Sequence, residues 1–121
     1  MASFEIWDIV KVPFPYTDRP VRQRRPALVI AAGQLAEEYG LLWVAMITSA
    51  ANRGWDGDVL ISNNRATGLP IPSIVRPAKI ATLDASDAEP LGKLPSRDRV
   101  SVAKCLAALL APVLASQRRR H

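Results

Sequence analysis

The run Pro13-Phe14-Pro15-Tyr16-Thr17-Asp18-Arg19-Pro20-Val21-Arg22-Gln23-Arg24-Arg25-Pro26-Ala27-Leu28-Val29-Ile30 decides how the rest of the chain is read. It begins as the end of a strand, passes through a Pro-rich basic loop, and becomes a strongly apolar strand. Four of the sixteen Lys/Arg fall between Arg19 and Arg25, and no acid follows Asp18 in that interval. Guanidinium groups gathered in a short loop beside a rigid strand can grip phosphate. The same charges can also serve only to solvate a loop.

Outward from this run, composition sets the bounds. The chain has 121 residues, of which 49% are apolar, and a formal net charge of +5. That length suits one domain with an ordinary hydrophobic core, and the composition argues against disorder. We divide it into a domain over 1–114 and a basic tail over 115–121. The charge favours an anionic partner without naming one. Cys105 is the single cysteine, so no intrachain disulfide can form, and the chain suits a reducing cytoplasm. The first twelve residues carry Glu5 and Asp8 and do not read as a leader. The uninterrupted apolar runs Ala27–Ala32, Leu41–Ile47 and Cys105–Ala111 fall short of the ~20 residues that cross a bilayer, so no membrane partner is expected.

In chain order, residues 6–12 read as a first strand with Ile6, Val10 and Val12 on one face. Pro26–Ala32 is apolar on both faces and so central or covered. Gly33–Gly40 is a helical turn or a loop. Leu41–Ser49 is a third strand, with Trp43 read as core. Ala50–Gly57 is a flexible connection and Asp58–Ser62 a short strand. Ser73–Leu83 is a strand bulged near Pro77, and Pro90–Leu94 is a further short strand. Ser96 can cap a closing helix, with Asp98 at its positive end. Val102, Cys105, Leu106, Leu109, Leu110 and Val113 recur at helical spacing, and Pro112 ends or bends the helix. Short strands followed by one helix predict a mainly β fold, a small curled antiparallel barrel with a C-terminal helix.

Several chemistries drop out. His121 is the only histidine and lies at the chain end, so a two-histidine acid–base pair is unavailable. Cys105 sits on the apolar helix face and reads as core. Zinc ligands are lacking, and no Gly-rich phosphate loop opens a helix. Asp56 with Asp58, or Asp84 with Asp87, could meet a hard cation, but turn chemistry explains them better. We therefore expect no metal and no cofactor. Guanidinium groups, hydroxyls, carboxylates and aromatics remain, an inventory suited to RNA or DNA contact.

Three segments in order resemble the MazF/PemK-like toxins of type II toxin–antitoxin systems: Asp8-Ile9-Val10 leading to Pro13-Phe14-Pro15, then Arg24-Arg25-Pro26-Ala27-Leu28-Val29, then Val44-Ala45-Met46-Ile47-Thr48-Ser49. Gly68-Leu69-Pro70, Ser73-Ile74-Val75-Arg76-Pro77-Ala78-Lys79 and Ala81-Thr82-Leu83-Asp84 extend the likeness, which covers Trp7 to Leu110. The resemblance implies an SH3-like barrel, usually a homodimer. It implies a cytoplasmic endoribonuclease that cuts single-stranded RNA without a required metal and is neutralised by a cognate antitoxin. On matched positions, Arg25 and Thr48 are the implied catalytic residues. The RNA 2′-OH attacks the adjacent phosphate, Arg25 clamps the phosphoryl oxygens and helps protonate the leaving oxygen, and Thr48 donates a hydrogen bond to the developing charge.

Arg19, Arg22, Arg24, Ser49, Arg53, Trp55, Arg76 and Lys79 are the expected RNA contacts. Arg76 and Lys79 could line the RNA groove or a dimer edge, or face water. Trp55 could stack on a base or be buried as an anchor. Two departures stand out. Trp7 precedes Asp8 where many members have Gly-Asp. The loop before Arg25 has neither the Gly nor the Glu of a Gly-x-Glu signature, and Asp18 is not positionally equivalent, so the general base is unassigned. Two other readings fit the barrel: a gyrase-directed toxin, and a non-catalytic nucleic-acid or antitoxin-binding module.

Overall fold

The computed structural model describes residues 3–15, 23–62 and 65–118. Its strands are β1 (Asp8–Pro13), β2 (Arg24–Ala31), β3 (Leu41–Ser49), β4 (Val59–Leu60), β5 (Ser73–Asp84) and β6 (Glu89–Lys93), and its helices α1 (Gln34–Tyr39) and α2 (Ser96–Arg118). The six strands form one antiparallel sheet in the order β4-β5-β3-β2-β1-β6, curled into a half-barrel that α2 closes. The expected fold class is therefore observed.

The two-sided apolar character of β2 has a direct cause. Ala27 and Val29 enter one buried cluster with Val10, Val12 and Val44. Leu28, of opposite parity, enters a second cluster with Ile9, Ile47, Val75 and, from α2, Val102. Both faces of the central strands are thus covered, and each fully buried side chain of this kind contributes about 1.5–3 kcal/mol. Against the second cluster α2 also lays Cys105 and Leu106. The carboxylate of Asp98 ties the helix start to the sheet by accepting from the Ser62 backbone N–H (2.8 Å) and hydroxyl (2.9 Å).

The bulge expected near Pro77 is present. The β3–β5 register steps from Ala45 opposite Ile80 to Met46 opposite Arg76, leaving Pro77, Ala78 and Lys79 outside the ladder. Proline has no N–H to give the ladder, and the extra residues re-aim Arg76.

Other expectations are corrected. Ile6 is exposed, because the chain turns at Trp7 (φ 76°) and the strand starts only at Asp8. Trp43 is 45% exposed instead of core; it stands opposite Ala31 and Thr82, where neither neighbour is large enough to cover it. Gly33–Gly40 resolves into α1, closed by Gly40 in the left-handed region (φ 66°). Pro112 does not end α2, which runs on through it to Arg118. A stretch of α2 within Ser96–Ser116 is long and apolar enough, by length and composition alone, to cross a membrane, and most of its side chains are exposed. Counting uninterrupted apolar runs missed this, because Lys104 breaks the run.

Candidate functional site

The β2–β3 register sets where Arg25 and Thr48 stand. Ala27 pairs with Met46, the last pair between β2 and β3 in that direction. Two residues further along each strand, on the same face, stand Arg25 and Thr48. Side chains opposite one another on one face have Cβ atoms about 5 Å apart in a regular ladder. Beyond Met46, β3 keeps its pairing only with β5, up to Ser49 opposite Ser73. The two residues therefore flank the point where β2 and β3 part. Pro26 stands immediately before that point.

Thr48 is 8% exposed, and its Oγ1 accepts a hydrogen bond from Asn52 Nδ2 at 3.1 Å. Arg25 is half-buried, and its Nη2 donates to Gln23 Oε1 at 2.9 Å. Ser49 does not share this environment: its Oγ accepts from the Ala51 N–H and caps the 3₁₀ turn Ala50–Asn52.

The segment after Thr48 is held from beneath. Arg76 is 7% exposed, so it does not face water. Its Nε and Nη2 donate to the two carboxylate oxygens of Asp58, both at 3.0 Å, and Nη2 also donates to the Asn52 carbonyl at 3.0 Å. Asp58 further accepts from the N–H groups of Gly54 and Trp55. The Arg76 hydrogen bond is the main cause holding the Asp58 carboxyl below its ordinary value, against the opposing effect of burial. The Trp55 ring lies over the Arg76 guanidinium, 4.4 Å from carbon to centroid, with Lys79 Nζ at 5.9 Å. Trp55 is 50% exposed, so it is not a core residue of this chain. Arg53 is exposed in the same segment.

Arg24 is placed apart. It has the opposite parity to Arg25, and its guanidinium bonds the carbonyls of Lys11 and Asp87 and pairs with Glu89 at 3.1 Å. Arg19 and Arg22, with Asp18, lie outside the described residues. The structure thus links Thr48, Asn52, Arg76, Trp55 and Lys79 at one end of β3 and β5, with Arg25 on the neighbouring strand β2 and Arg53 in the adjoining loop. Sequence reasoning missed Asn52, and it saw Asp58 only as a turn or cation ligand. No local sequence signal marked either, because Asp58 meets Arg76 only through the pairing of β4 with β5.

Among the described residues no group of three or more His, Cys, Asp or Glu gathers. A concavity of about 1010 Å³ lies between Phe4, α1 and the turn Ala85–Asp87, and touches neither Arg25 nor Thr48. What the assembled site offers is a cation, a hydroxyl and a partly covered aromatic face beside a strand gap, a set that can bind a phosphodiester and an adjacent base.

Comparison with known proteins narrows this. No curated protein shows a significant match. Among solved structures, MazF from Deinococcus radiodurans is similar over 92% of this chain and 99% of its own, at 24% identity and a TM-score of 0.74. A MazE–MazF complex from the same organism is similar over 91% of this chain and 97% of that one, at 22% identity and a TM-score of 0.70. An endoribonuclease in complex with its cognate antitoxin, from a mycobacterial species, is similar over 88% and 93%, at 15% identity and a TM-score of 0.69. These likenesses establish the fold. The sequence model of the PemK-like, MazF-like toxins of type II toxin–antitoxin systems matches residues 5–110, the whole described sheet and the packed half of α2, and the chain belongs to that family.

Proposed function

We propose that the protein is a toxin endoribonuclease that cleaves single-stranded RNA through Arg25 and Thr48. The observation that carries this reading is the β2–β3 register, which brings the two residues onto one face where the strands part. The 2′-OH attacks the neighbouring phosphorus and gives its proton to water, the bond to the 5′-oxygen breaks and that oxygen takes a proton from water, and a 2′,3′-cyclic phosphate and a 5′-OH remain. Negative charge grows on the phosphoryl oxygens. Arg25 is a permanent cation that clamps them, and the Thr48 hydroxyl donates to the same charge. Neither step calls for a metal or cofactor. Trp55 and Lys79 extend the RNA path, with Arg53 beside it, and the excess of positive charge draws in the polyanion.

Family membership supports a cognate antitoxin and a homodimer, and the unpaired Cys105 suits the cytoplasm. The catalytic unit is the domain over 1–114, with the residues after it as a basic extension.

The test is incubation of purified, antitoxin-free protein with a long single-stranded RNA in EDTA. Native protein cleaves it, and Arg25→Ala reduces the rate about 100-fold or more. Intact RNA with the folded native protein defeats the reading.

A further inference from the structure

Thr48 can serve the chemistry above only if its hydroxyl hydrogen points at the phosphate. A hydroxyl has one hydrogen to give and two lone pairs to fill. If any protein group takes that hydrogen, Thr48 becomes a spectator. The structure shows what prevents this. Asn52 Nδ2 donates into a lone pair of Thr48 Oγ1, and among the described residues no group accepts the Thr48 hydrogen. One of its two lone pairs is thereby occupied, and its hydrogen is left for an incoming oxygen.

Asn52 is itself fixed rather than adaptable. It ends the 3₁₀ turn that Ser49 caps, and its carbonyl is gripped by Arg76 Nη2. Arg76 in turn is held by both oxygens of Asp58, with side-chain exposures of 8% and 7% for the pair. A surface amide on a free loop would sample many rotamers; this one is seated on a buried fork.

We propose that Asn52 is a positioning residue that sets the donor direction of the Thr48 hydroxyl, with Arg76 holding Asn52 in place. This rests on the nuclease reading and goes beyond it, since it assigns Asn52 an action through Thr48 and gives Arg76 a role without RNA contact.

The direction of the bond supplies the test. Asn52→Ala removes the donor and leaves the rotor free. Asn52→Asp keeps the shape but replaces the donor with a carboxylate that can only accept, and so captures the Thr48 hydrogen. Both variants keep the backbone carbonyl that Arg76 holds and leave the Asp58 pair intact. Cleavage of a short fluorogenic single-stranded RNA is followed in EDTA for native protein, Arg25→Ala, Asn52→Ala and Asn52→Asp, with thermal melting of each.

The expected order of kcat is native above Asn52→Ala above Asn52→Asp. The Ala variant falls about 10- to 100-fold, as for a misdirected reacting group. For Asn52→Ala, which changes no charge, KM stays within about two-fold, and the melting midpoints of both variants stay close to native. Asn52→Asp as active as native, or losses in Asn52→Ala that appear in KM or track unfolding, overturn the assignment while leaving the nuclease reading intact. No cleavage by native protein overturns both, and loss in Arg25→Ala alone overturns only the role of Asn52.

Discussion

Two surface segments of this molecule are built on opposite principles. Residues 49–58 form a polar connection fastened from below, by a serine cap, a bidentate Arg76–Asp58 pair and a Trp55 ring lying on the guanidinium. The second half of α2 has almost nothing beneath it. Leu109, Leu110, Val113 and Leu114 are 49–67% exposed, and the last α2 side chains packed on the core are Cys105 and Leu106. Loops are usually the mobile parts and helices the rigid ones. Here charge taken out of water gives the loop one shape, while the helix end is held chiefly by its own backbone bonds, which are marginal over so few residues.

The largest effect should follow from removing the foundation of the loop. Asp58→Ala leaves Arg76 as a buried charge without its partner, and we expect a loss of about 3–5 kcal/mol in urea unfolding. Replacing both residues with well-packed apolar side chains of similar volume should cost far less. The pair also predicts an acid limb. Arg76 holds the folded carboxyl below 3.8, the ordinary value it regains on unfolding. The pair's contribution is therefore complete above about pH 4 and is lost as pH falls from there through the depressed folded value. Unfolding measured from pH 7 to pH 2 should show the gap between native protein and Asp58→Asn narrowing below pH 4. A gap that stays constant to pH 2 would mean that the loop is held by something other than this pair.

The sheet was legible in the sequence because its signals are local. The apolar run Leu41–Ile47 with its polar end, the two-sided apolar run after Pro26 and the Pro77 interruption each dictate backbone geometry within a few residues. Arg25 and Thr48 were found by resemblance, and the β2–β3 register, whose last pair is Ala27 with Met46, puts both two residues beyond that pair on the same face. The arrangement of Arg76 was not legible. Nothing local to the Arg-Pro-Ala-Lys segment says that its arginine folds inward to an aspartate eighteen positions earlier, and a basic residue in a basic protein reads naturally as an RNA contact. Trp43 misled for the converse reason: an apolar strand reads as core, but the sequence does not say that small residues, Ala31 and Thr82, stand opposite it.

An intermediate effect should distinguish the anchored half of α2 from the free half. Trp7 packs against the cluster under the first turns of α2, its carbonyl accepts from the Leu94 N–H, and Arg99 lies 5.9 Å from its ring. It does so at φ 76°, the one positive φ among the described non-glycine residues. The family's usual Gly-Asp thus marks a backbone requirement that this chain meets with a strained tryptophan whose ring anchors the helix start. Both Trp7→Gly and Trp7→Ala lose the ring. Only glycine relieves the backbone, so Trp7→Gly should be more stable than Trp7→Ala by about 1 kcal/mol, the reverse of their usual ranking. Equal stabilities in thermal unfolding would remove the strain from the account.

The smallest effect on stability should come from the free half itself. Leu110→Glu with Leu114→Glu places two charges where the native side chains already meet water, so dilute protein should unfold within about 0.5 kcal/mol of native. The same change should act strongly on association. Exposed leucines on successive turns form an apolar patch of the kind that marks an interaction surface, and the proposed homodimer gives it a use. Sedimentation across a concentration series should show native protein gaining mass and the double variant remaining at the monomer. If instead the variant unfolds readily when dilute, the helix end is already packed within one chain, and the contrast with residues 49–58 disappears. If its mass follows the native curve, association uses another face, and the leucines of α2 are left to a different partner.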